Sequence, residues 1–390
     1  MGSVAVLCDR VGVAGGAERY WETVVPALRA RGIEVRLFAR DVTGASRFGI
    51  DAQPIAWADE TGAPSGEAAR AVADALRAMQ PSAIITASVF DCAVLDAVRA
   101  ARVRWLVRVH DHRPFCPTGD RVYPQFDAPC GAPMGLACRA ATVLRGCVHG
   151  PRPSSLRAIA AREAVRDRIA GADGVLVSSE HMRATCTLNG IDAGRVTITP
   201  PPLPDVAYAA TVPAPPASPV LLFAARPTAR KGFRSLVAAL ARIPFPERPR
   251  LIVAGTGPDD DRAASGAALA GGVEVTWLGT LDPDALRAAI DASSAVAVPS
   301  LWPEPFGLIG IEAQARGRPA VAYRVGGIPE WIGGAGIAVP RGDERALAEA
   351  IRSILHPRRW PAYAAAARGR AEAYRLEAHV TRLLEVFDAA

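Results

Sequence analysis

The chain has 390 residues, half of them hydrophobic and 22% charged, with a formal net charge of +6. That composition excludes a wholly disordered chain, and the length is too great for one hydrophobic core, so two domains are expected. No apolar run of about 18 residues marks a membrane span, and residues 1–8 lack the basic start and long apolar core of a signal peptide, which points to a cytoplasmic protein.

Residues 4–8 read as an apolar first strand, followed by a glycine-containing turn over 10–16. Trp21, Val24, Val25 and Leu28 recur at helical spacing and predict a helix over 17–31, which Gly32 stops. A strand over 34–39 completes strand–helix–strand, the opening of a parallel sheet. Helices over 67–79 and 91–101 and strands over 83–87 and 104–110 continue the alternation. A weakly periodic stretch, 111–153, holds four of the seven cysteines. A helix over 155–170, a strand over 174–178 and a short helix over 179–188 follow.

Eight of the twenty residues 200–219 are proline, the composition of a semi-rigid linker. A second series succeeds it. Strands over 220–225, 250–254, 273–278, 295–299 and 319–323 are interspersed with helices over 232–242, 283–292, 307–316 and 344–355, and a last long helix covers 361–389. The expected division is 1–200, a linker at 201–219 and a second domain at 220–369, with the helix at about 370–390 packing back on the first.

In open parallel sheets, ligands lie beyond the carboxyl ends of the strands, and two constellations fall at such ends. Arg226-Pro227-Thr228-Ala229-Arg230-Lys231-Gly232 follows a strand and opens a helix, so two cations and helix amides face one place, chemistry suited to a diphosphate. Lys231 is the only lysine among 45 basic residues. A surface charge tolerates guanidinium for ammonium, whereas a site needing a compact point charge does not. The second constellation is the string 299–312, with Glu304 in a turn and Glu312 about a turn and a half inside the following helix. Carboxylates suit sugar hydroxyls, and amides at Gly307 and Leu308 suit phosphate oxygens. The arginines elsewhere are scattered, without a basic block interleaved with aromatics, which argues against nucleic acid.

The string Glu304 to Glu312 resembles the E-x7-E motif of the family-4 glycosyltransferases, retaining enzymes of the GT-B fold. Glu312-Ala313-Gln314-Ala315-Arg316-Gly317-Arg318-Pro319 is similar to that family's E-A-x-A-x-G-x-P, Gly326-Gly327-Ile328-Pro329-Glu330 to its G-G-x-P-E, and Arg226 with Lys231-Gly232 to its R-x4-K-G. Gly255-Thr256-Gly257-Pro258 and Leu278-Gly279 resemble its nucleotide-side strand ends, and Gly15-Gly16-Ala17-Glu18-Arg19 its G-G-A-E-R. The resemblance covers both halves with the motifs in order. Two positions depart from it: Ala225 stands where a glycine is usual, and Ile198-Thr199-Pro200-Pro201-Pro202 replaces an I-P-N-G turn.

The resemblance implies an α/β, GT-B architecture: two Rossmann-like doubly wound domains facing across a cleft, the first on the acceptor side and the second binding the nucleotide sugar. It implies that Arg226 and Lys231 neutralise the donor diphosphate, Glu312 holds the ribose hydroxyls and Glu304 contacts the transferred sugar. The amides of Phe306, Gly307, Leu308 and Ile309 help cradle the donor, as do Gly255, Gly257 and Leu281 on the nucleotide side. Gly15 and Gly16 line the cleft, and His110, after the strand at 104–110, matches the family's cleft histidine. Transfer with retention to an acceptor hydroxyl, without a metal cofactor, is expected, from a UDP-sugar ahead of a GDP-sugar. Acceptors in such enzymes range over small metabolites, lipids and glycans. Peripheral contact with a membrane is allowed by the basic charge, but no clear basic amphipathic helix stands out. The rival readings are a GT-B phosphorylase or epimerase, or an inactive nucleotide-sugar-binding protein.

Cys116, Cys130, Cys138 and Cys147 cluster in the sequence at C-x13-C-x7-C-x8-C, with His110, His112 and His149 nearby. The spacing lacks the tight pairs of common zinc sites. Reduced thiols in an irregular loop are the first reading, a structural zinc the second and disulfides the third. Some family-4 members carry similar cysteines, which marks a subgroup feature expected to shape the acceptor side. Cys8, Cys92 and Cys186 read as core residues.

Overall fold

The computed structural model describes residues 2–11, 16–43, 51–59, 62–123, 128–148, 152–256, 266–270 and 272–388. These form two compact units, one made of Met1–Pro202 with Leu376–Ala390, the other of Leu203–Arg375.

The first unit runs β1 (Ser3–Arg10), α1 (Gly16–Ala30), β2 (Glu34–Asp41), β3 (Ala52–Pro54), α2 (Gly66–Met79), β4 (Ala83–Ala87), α3 (Cys92–Ala100) and β5 (Arg104–Val109). It continues through β6 (Val122–Tyr123), β7 (Ala128–Pro129), α4 (Leu136–Arg145), α5 (Arg152–Ala170), β8 (Gly174–Val177), α6 (Glu180–Leu188) and β9 (Val196–Ile198). Its main sheet has the order β3-β2-β1-β4-β5-β8-β9, parallel throughout, because each crossover carries enough chain to return to the same edge. Strands β1 and β4 carry runs of six and five buried residues, as strands covered on both faces must. Helix starts follow capping chemistry: Ser65, Asp91 and Ser179 each accept from an amide of the first turn.

The second unit runs β10 (Val220–Ala224), α7 (Phe233–Ala241), β11 (Arg250–Ala254), β12 (Gly266–Ala270), β13 (Val273–Gly279), α8 (Pro283–Asp291) and β14 (Ala295–Val298). Then come α9 (Leu308–Ala315), β15 (Ala320–Tyr323), α10 (Ile328–Ile332), β16 (Gly336–Val339), α11 (Glu344–Leu355) and α12 (Trp360–Ala371). Its sheet order is β12-β13-β11-β10-β14-β15-β16, parallel except for β12, which lies antiparallel at the edge. Within the proline-rich stretch, Leu203 and Ala207 are buried in this unit's core. The chain then returns to the first unit as α13 (Leu376–Asp388), whose Val380, Leu383 and Phe387 pack into the core beside β1 and α1.

Two sequence expectations are corrected. The stretch 111–153 is not without structure, since it holds β6, β7 and α4. The last helix is not continuous: α12 stops at Ala371 and α13 starts at Leu376. The break has a tertiary cause. The Ala371 carbonyl accepts from the Tyr208 hydroxyl at 2.8 Å, and the Tyr374 carbonyl accepts from the Leu203 amide at 2.8 Å, so carbonyls that would continue the helix are taken.

Candidate functional site

In the second unit the carboxyl ends of three neighbouring strands are tied together by their turns. After β10 the chain tightens through Arg226 to Lys231, where the Thr228 amide donates to the Arg226 carbonyl at 2.7 Å and the Lys231 amide to the Thr228 carbonyl at 3.1 Å. Gly232 then enters α7 with φ of 72°, and a Cβ there would stand 1.8 Å from the Pro299 carbonyl oxygen. Only glycine admits both the left-handed backbone and that approach. The Leu301 amide donates to the Arg230 carbonyl at 2.8 Å, which joins the turn after β10 to the turn after β14.

That junction fixes Glu304. Its carboxylate is buried, and one oxygen, Oε1, accepts from Lys231 Nζ at 2.6 Å, from Ser300 Oγ at 2.6 Å and from Trp302 Nε1 at 2.9 Å. Lys231 also lies 5.1 Å from the centre of the Trp302 ring. The pair is asymmetric. The Lys231 side chain keeps 29% of its exposure and Glu304 only 8%, so the cation is the partner that a solvent-borne anion can reach. The Glu304 backbone is gripped from the turn after β15, where the Gly327 amide donates to its carbonyl at 2.8 Å. Gly326, at φ of 59°, passes so close that a Cβ would meet the Glu304 carbonyl oxygen at 2.2 Å.

Helix α9 starts right after Gly307, so the amides of Leu308 and Ile309 belong to a first turn without intrahelical acceptors. Its start is held by Trp331, whose Nε1 donates to the Phe306 carbonyl at 2.6 Å and whose ring occupies the space a side chain at Gly310 would need. Phe306 is buried against Tyr374, so its ring serves packing. Glu312 lies half-buried one turn inside α9, on the face of Leu308.

The remaining sequence-selected residues divide as follows. Arg226 is exposed on the same turn as Lys231. Gly255 directly follows β11, its amide donating to the Gly279 carbonyl at 2.7 Å. Leu281 packs half-buried against the core of the second unit. Gly15 and Gly257 lie outside the described residues, and Gly16 begins α1.

His110 belongs to the first unit, at the end of β5. Its ring meets Tyr20 edge-on at 5.3 Å, and its buried Nε2 has no hydrogen-bond partner among the described residues. Burial first, then the Arg108 and Arg113 guanidinium groups, push its pKa well below the ordinary value, so it is neutral. Arg108 is itself buried. It donates to Thr199 Oγ1 and stacks 4.4 Å from the Tyr20 ring, and the Tyr20 hydroxyl bonds His379 Nε2 at 2.9 Å. Sequence reasoning missed this buried group, and also missed Ser300 and Trp302. The last two stood inside the string already singled out, where an indole and a hydroxyl beside a buried carboxylate are the signal.

Cys116, Cys130, Cys138 and Cys147 line one small cavity with Phe115, Arg121 and Thr142. The Cys116 sulfur accepts from the Arg121 amide at 3.4 Å. Burial first, then the neighbouring thiols, raise the Cys147 pKa to about 11. Among the described residues no group of three His, Cys, Asp or Glu side chains is poised to hold a metal ion.

Residues 218–357 match the family model described as glycosyl transferases group 1, and residues 15–202 match a glycosyl transferase 4-like domain. An uncharacterized glycosyltransferase of Methanocaldococcus jannaschii is 33% identical over 114 residues, 29% of this chain and 29% of its own length. A D-inositol 3-phosphate glycosyltransferase of Xylanimonas cellulosilytica is 29% identical over 369 residues, covering 88% of this chain and 84% of that protein. Among solved structures, Anabaena HepE in complex with UDP superposes with a TM-score of 0.71 over 99% of this chain and 100% of its own, at 17% identity. No helix among the described residues is long and apolar enough to cross a membrane.

Proposed function

The chain belongs to the family-4 glycosyltransferases and has the GT-B fold, and from that premise we propose that it moves a sugar, with retention, from a nucleotide-diphosphate sugar to an acceptor hydroxyl. The observation that carries this reading is the convergence of Lys231, Glu304 and the start of α9 at adjacent strand ends. Breaking the bond between the anomeric carbon and the diphosphate leaves negative charge on the departing phosphate. Lys231, with Arg226 on the same turn and the α9 amides, supplies preorganised positive charge where that negative charge grows. The acceptor oxygen takes the anomeric carbon on the same face, and its proton passes to the leaving phosphate. These cations serve where other transferases use a divalent ion, so turnover needs no added metal.

Glu312 holds the ribose hydroxyls as an ionised acceptor. Glu304 orients Lys231 as well as facing the transferred sugar. HepE has been solved with UDP and with UDP-glucose, which supports uridine in the donor here. Neutral His110 is assigned a hydrogen bond to the sugar. The four clustered cysteines shape the acceptor side as reduced thiols, with a structural zinc as the competing arrangement.

The test is a thermal-shift titration with a panel of nucleoside diphosphates and their sugars, followed by turnover with candidate acceptors. One preferred nucleotide identifies the base. Dependence on free phosphate would instead mark a phosphorylase, turnover without acceptor an epimerase, and binding without turnover across broad acceptors an inactive binding protein.

A further inference from the structure

Helix α4 is built inside out. Cys138 and Thr142 turn toward the cysteine-lined cavity, whereas Leu136 is 84% exposed, Leu144 78% and Val143 43%. Seven large hydrophobic side chains are exposed among the described residues, and these three share one ten-residue helix. At 3.6 residues per turn, Val143, Leu136, Ala140, Leu144 and Ala137 form a continuous apolar arc of about 120°. Arg139 borders that arc on one side, paired with Glu163, and Arg145 lies beyond the other, 5.4 Å from the Tyr123 ring. Residues 128–162 contain five arginines and no Asp or Glu; Arg139 is countered by Glu163, while Arg145 and Arg157 stay exposed.

We propose that α4 is a docking surface for an anionic lipid bilayer, lying in the plane of the headgroups with its leucines inserted and its arginines against lipid phosphates. The sequence had shown no such helix, because the stretch is too weakly periodic to read as one and the apolar arc is visible only once Cys138 and Thr142 are seen to face inward. Three features favour lipid over a protein partner. The arc is one helix wide and about 15 Å long, small beside the roughly 800 Å² that each side of a stable protein interface buries. Interfacial helices insert by about 5–10 Å, the reach of leucine side chains. The local excess of exposed arginine, Arg145 and Arg157, matches a surface whose charge is uniformly negative. The proposal rests on this surface alone and stands apart from the donor chemistry.

The experiment is co-sedimentation of the full chain with phosphatidylglycerol–phosphatidylcholine vesicles and with phosphatidylcholine vesicles. Binding to the anionic vesicles, weakened by salt, is expected. Leu136→Ser with Leu144→Ser should weaken it by at least about tenfold, since two buried leucines are removed. Both side chains are exposed, so the melting temperature in the absence of vesicles should stay put. Failure to bind anionic vesicles would overturn the proposal, as would equal binding by the double variant. A dimer by light scattering that the double variant dissolves would overturn it too, assigning the face to a second copy.

Discussion

Replacing Lys231 by alanine separates the two claims made on that ammonium, one by Glu304 and one by the donor diphosphate. Without donor, the Glu304 carboxylate keeps Ser300 and Trp302 but loses its cation at 2.6 Å. Removing one member of a buried pair costs about 3–5 kcal/mol. The lysine side chain is 29% exposed and two neutral donors remain, so about 1.5 kcal/mol is the better figure here. For a unit of this size that lowers the melting temperature by about 3–6 °C. With donor, a charge-assisted hydrogen bond of about 2 kcal/mol disappears, roughly thirtyfold in affinity. A nucleotide at about 100 times its Kd stabilises the wild type by about 2.7 kcal/mol, and at the same concentration the variant by only about 0.9 kcal/mol. Melting curves with and without nucleotide, read with turnover, check both numbers. An unchanged nucleotide-induced shift in Lys231→Ala, or turnover within a few-fold of wild type, would refute the assignment.

Glu312→Gln should raise the donor KM about tenfold or more, since its half-buried carboxylate is assigned to ribose, and a KM within about twofold of wild type would contradict this. Gly326→Ala should destabilise the second unit by at least about 2 kcal/mol, because φ is 59° and the new Cβ would meet the Glu304 carbonyl oxygen at 2.2 Å; a melt within a degree of wild type would contradict this. Chelation with EDTA should leave initial rates intact, whereas loss of activity restored by a divalent ion would point to a metal in the donor step. Metal analysis of the same purified sample tests the cysteine cluster separately: stoichiometric zinc would displace the reduced-thiol reading.

Acid stability tests the buried histidines of the first unit. Burial, then Arg108, takes His379 down to about 3; burial, then Arg121, takes His181 down to about 4; His110 is lowered as well. Each is neutral when folded, and in the unfolded chain each titrates near 6.5. The unfolded state therefore binds the extra protons. Their stabilising contribution is whole above about pH 6.5 and is lost as pH falls toward 3–4, at about 1.4 kcal/mol per pH unit for each fully titrating histidine. His379→Gln should flatten the dependence of the first unit's melting temperature on pH by one proton's worth. An equal slope in both proteins would mean that His379 is charged in the fold.

The strand ends were legible because apolar runs ending in Gly, Pro or charged turns have few readings other than parallel strands, and the donor motifs sit on those ends. What escaped has specific physical causes. Strands β3, β9 and β16 have three or four residues, too few to show a period. The α12–α13 break is invisible locally, because it is made by Tyr208 and Leu203, far away in sequence. The α4 helix escaped because its apolar positions are the exposed ones.

The same limit governs the site. The sequence places a lysine, two glutamates and a helix start in one neighbourhood, which suffices to infer an anion and sugar site. It does not show that Glu304 and Lys231 are already joined, nor that Ser300 and Trp302 share the carboxylate. This changes the chemistry expected of Lys231. A free ammonium would attract any phosphate that reached it. One anchored to a buried carboxylate is fixed in position and partly neutralised, so it adds little long-range attraction. It acts most strongly when a second negative charge arrives within hydrogen-bonding distance. The growing charge of a departing diphosphate is such a charge. By this argument Glu304→Gln keeps the cation but loosens its position, and it should impair kcat more than nucleotide binding, the reverse of a residue that serves only to hold the donor.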